Sequence, residues 1–214
     1  MKRLILVRHA PTAATKAAAF PLDERPDESA LAAASRLGEF VPRHAEVCAS
    51  PAVRCQETAR AAGLEPVTVP ELAECDFREW GGRTLADVCE EDPAGAEAWM
   101  TDPEARPHGG ESLSGFAGRV AGWLETQAES DGSTFAVTHG GVVKAAIVSA
   151  LGAPLLSFWR VDVAPLSLTE LHAHDGRWTL VRTNVPLNHA SDGGGFAVPP
   201  AIREELRAGG GAVA

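Results

Sequence analysis

Residues 4–12 read LILVRHAPT. Four apolar residues, Leu4-Ile5-Leu6-Val7, run without a polar interruption into Arg8-His9. A strand with one face in water alternates polar and apolar residues. A strand apolar throughout is covered on both faces, as in the interior of a parallel sheet. This strand ends by delivering a guanidinium and an imidazole side by side. A second stretch, STFAVTHGG at residues 133–141, has the same design and ends on Thr138-His139-Gly140-Gly141. Open α/β sheets bind ligands outside the carboxyl ends of their strands. As parallel neighbours, these two strands would bring His9 and His139 to one site from about 130 positions apart.

Outward from these strands the chain alternates strand and helix. A polar, proline-punctuated loop follows from Ala10 to about Pro26, and then Asp27 caps a helix with Leu31, Ala34, Leu37 and Val41 on its apolar stripe. Ala45 to Ala49 reads as a short strand. In SPAVRCQETARAAG, Ser50 is the expected N-cap, Pro51 the first helical residue and Gly63 the stop. A short strand lies around Pro66–Val69, and the segment ECDFREWGGRT reads as irregular. Thr84 and Asp87 form a capping box for a helix that stops before Pro93. A Pro/Gly/acid-rich stretch with one short helical piece around Trp99 follows. A helix from Ser112 to near Ser130 carries Leu113, Phe116, Val120, Trp123 and Leu124, and the helix VVKAAIVSA ends at Gly152. Two alternating strands flank the turn HDGR.

The expected fold is an α/β three-layer sandwich (α/β/α), its central sheet mostly parallel with an antiparallel edge. Residues 1–190 form the single domain, with a lid insertion around 76–111, and 191–214 are a Gly/Ala-rich tail with one short helix.

The chain has 214 residues and a formal net charge of −10, which argues against nucleic acid and anionic membranes as partners. The apolar run at the N-terminus is too short for a signal peptide, no stretch is long enough to span a membrane, and the expected location is cytoplasmic. Cys48, Cys55, Cys75 and Cys89 stand singly, without the spacing of a metal site, and read as inert thiols.

Arg54 lies in the first turn of its helix, where the dipole already presents positive charge. A cation placed there is unfavourable alone. With Arg8 and two histidines nearby, Arg54 and the adjacent N–H groups would receive an anion. Arginine forks match tetrahedral oxyanions, and the helix start at Gly140-Gly141 offers further donors. The best ligand is a phosphoryl group. The strand ends carry no carboxylate or Cys/His set suited to Mg²⁺ or Zn²⁺. Metal-free phosphoryl transfer then needs a protein nucleophile, positive charge around the equatorial oxygens and an acid for the leaving group. ELAECDFREW supplies four carboxylates for the last role, Glu71, Glu74, Asp76 and Glu79, and composition does not choose among them.

Five segments in order resemble the motifs of the histidine phosphatase superfamily, the phosphoglycerate-mutase-like family. They are LILVRHAPT, SPAVRCQETA, ELAECDFREWGG, PHGGES and VTHGG, spanning residues 4–141. The resemblance implies a phosphoric monoester hydrolase with no metal and no cofactor. His9 would be the nucleophile that forms a phosphohistidine, and Arg8, Arg54 and His139 would bind the phosphoryl oxygens. Glu74 would be the acid and then the base, with Asp76 as its substitute. Gly140 and Thr15 would add phosphate contacts. The chain departs from the family pattern at Ala10, where a glycine is usual, and at Thr15, where many members carry asparagine. Trp80-Gly81 matches a family pair and reads as packing.

Only residues 83–106 separate EWGG from PHGGES, where mutases of the resembled family usually carry a longer insertion, so the resemblance implies an open pocket and hydrolysis of a small phosphorylated substrate. The runner-up is a mutase-type phosphotransferase. Less favoured are a non-catalytic phosphate-binding module and a metallohydrolase built on His9 and His139. Specificity is expected from residues 13–25, 83–111 and the tail after Asn184, with Arg25, Arg83, Arg106 and His108 as receivers for a second anionic group and Trp99 for stacking. The sequence leaves a homodimer open.

Overall fold

A computed structural model describes residues 1–187. The expected tail from residue 191, with its short helix, lies outside them. Six strands form one sheet: β1 (Lys2–Arg8), β2 (Glu46–Ala49), β3 (Val67–Thr68), β4 (Gly132–Thr138), β5 (Leu168–His174) and β6 (Arg177–Val185). Their order is β3-β2-β4-β1-β5-β6. The first four are parallel, and β5 and β6 add an antiparallel edge. Asp175 and Gly176, both at positive φ (50° and 72°), make the tight turn between the last two strands.

Successive strand residues point to opposite faces, so the apolar run of β1 is divided between two cores. Leu4 and Leu6 pack with Leu113, Phe116, Val120, Val142, Val143 and Ile147, from α6 (Leu113–Ala128) and α7 (Gly140–Ala150). Ile5 and Val7 pack on the other face with Ala34, Leu37, Cys55 and Ala59. These come from α2 (Glu28–Ala34), a following 3₁₀ turn and α3 (Val53–Ala61). The fold is therefore the expected three-layer sandwich. Burying each such Leu or Val contributes about 1.5–3 kcal/mol, so β1 is held firmly where it ends.

Between β3 and α6 the chain forms α4 (Leu85–Glu91) and α5 (Pro93–Thr101). The Thr84–Asp87 capping box is present, and Asp92 caps α5, a nine-residue helix where the sequence suggested only a short piece. Phe20, Trp80, Val88 and Ala96 form a third, satellite core with Phe77 and Trp99 against it. Among the described residues no helix is long and apolar enough to cross a membrane.

Several local expectations are corrected. Residues 10–26 contain the short helix α1 (Ala13–Ala17), opened by Thr12, whose hydroxyl accepts from the Thr15 N–H. The helix after Asp27 tightens to 3₁₀ at Ser35 instead of continuing to Val41. Asp27 makes no side-chain cap there and pairs with Lys16 at 2.6 Å. A 3₁₀ helix, Leu155–Arg160, had no recognisable periodicity in sequence.

Candidate active site

The register of the two long strands fixes the site. Arg8 pairs with Thr138, and the His9 N–H donates to the Thr138 carbonyl at 2.8 Å. On the other side of β4, the Ser50 N–H donates to the Val137 carbonyl at 3.0 Å. Three strand ends are thereby tied level, and both histidines follow directly from them.

His9 is 5 % exposed. Its Nδ1 lies 2.7 Å from the carbonyl oxygen of its neighbour Ala10. A carbonyl only accepts, so Nδ1 carries the proton and the free lone pair of the neutral ring is on Nε2. Burial, then the guanidinium of Arg54, lower its pKa to about 3, with Arg8 adding to the effect and the bond to Ala10 opposing it. His139 is fully buried, edge-on to His9 with ring centroids 5.2 Å apart. Burial first, then Arg54, His9 and Arg8, hold its pKa well below the usual imidazole range.

Ser50 is not the helix cap that the sequence suggested. Helix α3 starts at Val53, and the Ser50 hydroxyl sits 2.7 Å from Nε2 of His139. Asp23 instead accepts from the Val53 N–H at 2.8 Å and occupies the helix start. Thr58, unremarkable in sequence, donates to the Arg54 carbonyl at 2.7 Å and accepts from the Ala10 N–H at 3.0 Å. It ties the backbone beside Arg54 to the residue after His9.

Both arginines are tethered at one end only. Arg8 donates through Nη1 to the Val163 carbonyl, and Arg54 through Nη1 to the Leu22 carbonyl at 2.8 Å. The Nε of each is buried without a partner. An unpaired buried donor costs about 1–3 kcal/mol, which an anionic oxygen would relieve.

The structure separates the four carboxylates. Asp76 is committed to Arg78 at 2.9 Å and lies off the cavity walls. Glu74 faces the cavity, accepting from the Cys75 N–H at 3.0 Å and from the Gly141 N–H at 3.2 Å. A Cβ on Gly141 would overlap Oε1 of Glu74 and lie 2.9 Å from its carboxyl carbon. Gly141, rather than Gly140, is thus the glycine that makes room for the acid; Gly140 packs on the Arg8 guanidinium. The acid-bearing segment is held by Arg119 of α6, which donates to the Glu71 and Ala73 carbonyls at 2.7 and 3.0 Å and to both carboxylate oxygens of Glu111. Sequence reasoning missed Arg119, because a helical arginine facing a loop leaves no local pattern.

Arg8, His9, Thr15, Glu74 and Gly140 line one cavity of about 260 Å³. Its far walls are aromatic: Phe20, Phe77 and Trp99 from the satellite core, Phe116, Phe158 and Trp159 from the main body. Lys144 and Asp162, also unremarked in sequence, complete it. A cleft of about 340 Å³ shares Glu74 and Cys75 and holds Arg54 and Ser50. His139 lines neither and supports His9 from behind. Among the described residues no group of three or more His, Cys, Asp or Glu side chains is placed to hold a metal ion.

The expected receivers of a second anion are elsewhere. Arg25 pairs with Glu57 at 3.3 Å and Arg83 with Glu91 at 2.5 Å. His108 is fully buried against Phe77 and Trp80, and Arg25, Arg83, Arg106 and His108 all lie off the cavity lining.

Comparison with known proteins agrees with this geometry. The model of the histidine phosphatase superfamily (branch 1) matches residues 4–186. The chain is 28 % identical over 196 residues to phosphoserine phosphatase 1 of Hydrogenobacter thermophilus, covering 86 % of this chain and 93 % of that one. It is 32 % identical over 177 residues to the adenosylcobalamin/α-ribazole phosphatase of Salmonella typhimurium, covering 75 % and 85 %. Among solved structures, mycobacterial glucosyl-3-phosphoglycerate phosphatase complexed with VO3 superposes with a TM-score of 0.74 at 25 % identity, covering 86 % of this chain and all of that one. With the family's fold, its motifs in order and a match over nearly the whole described chain, this protein belongs to the histidine phosphatase superfamily and is a phosphatase enzyme.

Proposed function

We propose that the protein hydrolyses a small phosphomonoester in two displacements at phosphorus, through a phosphohistidine on His9 and in the cytoplasm. The observation that carries this reading is a neutral imidazole whose Nε2 lone pair is free, beside two guanidiniums whose buried Nε–H groups lack a partner. A phosphoryl group satisfies both needs at once. The similar proteins named above, all phosphatases of small phosphorylated metabolites, support the same reaction class.

In the first displacement Nε2 of His9 forms a bond to phosphorus as the ester P–O bond breaks. The leaving oxygen takes a proton from the carboxylic acid of Glu74. Arg8 and Arg54 stabilise charge on the equatorial oxygens, and His139 holds the His9 ring from behind. In the second, Glu74 removes a proton from water, the water oxygen bonds to phosphorus, and the P–N bond breaks. Inorganic phosphate leaves and His9 is restored. The chemistry needs only these side chains, and two guanidiniums beside both imidazoles repel a divalent cation.

The test is phosphate release from p-nitrophenyl phosphate with EDTA present, for the native protein and His9→Ala. Turnover that survives EDTA and falls by about 10³-fold or more in the variant is expected, since a nucleophile's loss is catalytically severe. Activity retained by His9→Ala would overturn the assignment.

A further inference from the structure

The cavity holds one cation that the phosphoryl chemistry does not use. The chain has three lysines. Lys2 is paired with Glu46 at 4.0 Å and Lys16 with Asp27 at 2.6 Å. Lys144 has no ion-pair partner within 4.0 Å among the described residues, although it is half-buried. It stands one helical turn after Gly140, on the same side of α7, and its ammonium lies 5.3 Å from the centre of the Phe158 ring. Burial lowers its pKa, with Asp162 and Glu74 opposing that effect and Arg8 adding to it. A half-buried ammonium over an aromatic ring, facing a cavity and with no carboxylate within 4.0 Å among the described residues, is arranged to receive an anion from outside the protein.

We propose that Lys144 is a specificity-determining residue that binds a carboxylate on the leaving alcohol, so that the substrate class is phosphorylated small carboxylic acids. This rests on the phosphatase reading above and narrows it. Three features favour a carboxylate over a second phosphoryl group. Apart from Arg8, which the phosphoryl group takes, the wall offers a single ammonium and no second guanidinium fork. Asp162 lines the same cavity, its charge is felt at Lys144, and it would repel a dianion. The cavity is small, about 260 Å³. Asp162 in turn suits an ammonium or hydroxyl next to that carboxylate, so amino-acid and hydroxy-acid phosphates share the chemistry.

The experiment measures kcat/KM for two pairs of esters that differ by the carboxylate: O-phosphoserine against O-phosphoethanolamine, and 3-phosphoglycerate against glycerol 3-phosphate. Turnover of p-nitrophenyl phosphate is the reference for the phosphatase itself. The native protein should prefer the carboxylate-bearing member of at least one pair by ten-fold or more. Lys144→Gln should reduce that preference to three-fold or less, mainly through KM, and Lys144→Arg should restore part of it. A preference confined to the serine pair assigns an amino acid; one confined to the glycerate pair assigns a hydroxy acid. Turnover of p-nitrophenyl phosphate with no preference in either pair, or a preference that Lys144→Gln leaves intact, overturns the proposal and spares the phosphatase reading. No turnover of any ester overturns both.

Discussion

Gly141 has no chemistry of its own, yet the position of Glu74 depends on it. The carboxylate accepts from the Gly141 N–H and occupies the space a side chain would need. Gly141→Ala must therefore displace the carboxylate from the start of α7, while the helix itself gains a better helix former. The expected outcome is a folded protein whose kcat falls by about ten-fold or more, as general acid catalysis is typically worth 10²–10⁴-fold. The loss should be larger for an alkyl phosphate than for p-nitrophenyl phosphate, whose leaving group needs no proton. Equal losses on the two esters would mean that Gly141 acts otherwise. Gly140→Ala is the control: its Cβ would meet the Arg8 guanidinium at 3.3 Å, a close but flexible contact.

At the level of elements, what could be read from sequence was whatever a short window contains. The unbroken apolar runs of β1 and β4 announced two-sided burial, and the structure divides their residues between two cores. Thr84, Asp87 and Gly152 marked helix ends because caps are local chemistry. The site was legible where a motif stands on such an element: Arg8-His9 and His139 follow strand ends, and Arg54 opens a helix. Contacts made across the sheet left no such trace. Ser50 looked like a cap, but its hydroxyl is drawn to His139, 89 residues away. The Leu155–Arg160 turn, which brings Phe158 and Trp159 to the cavity, lacks any periodicity that a window could detect. Residue chemistry alone did not separate Glu74 from its three acidic neighbours, and it was the family resemblance that selected it; the contacts that hold it, the Gly141 N–H and the Arg119 brace, come from distant parts of the chain. Lys144 was hidden in an otherwise apolar helix, and its role depends on what the cavity brings opposite it.

Over the whole molecule, the site makes stability depend on acid. Burial and Arg54 hold His9 near pKa 3, and His139 is also held low, whereas both ionise near 6.5 in an unfolded chain. As pH falls from about 6.5 towards 3, the unfolded chain takes up protons that the fold refuses, so stability falls. Each such histidine gives a slope of up to about 1.4 kcal/mol per pH unit. Glu170 adds to this at lower pH. Burial opposes its ionisation, but hydrogen bonds from Arg3, His172 and Arg182 bring its pKa to about 2. Its contribution is present above about pH 4.5 and disappears towards 2. Urea unfolding between pH 7 and 4 should show a falling midpoint; a flat one would contradict neutral buried histidines. In the proposed reaction phosphorus changes partners twice, and its stereochemistry reports this directly. Hydrolysis in ¹⁷O-labelled water of a phosphorothioate monoester made chiral with ¹⁶O and ¹⁸O should give thiophosphate with overall retention, two in-line inversions cancelling through His9. Net inversion would mean a single attack by water, and His9 would not be the nucleophile.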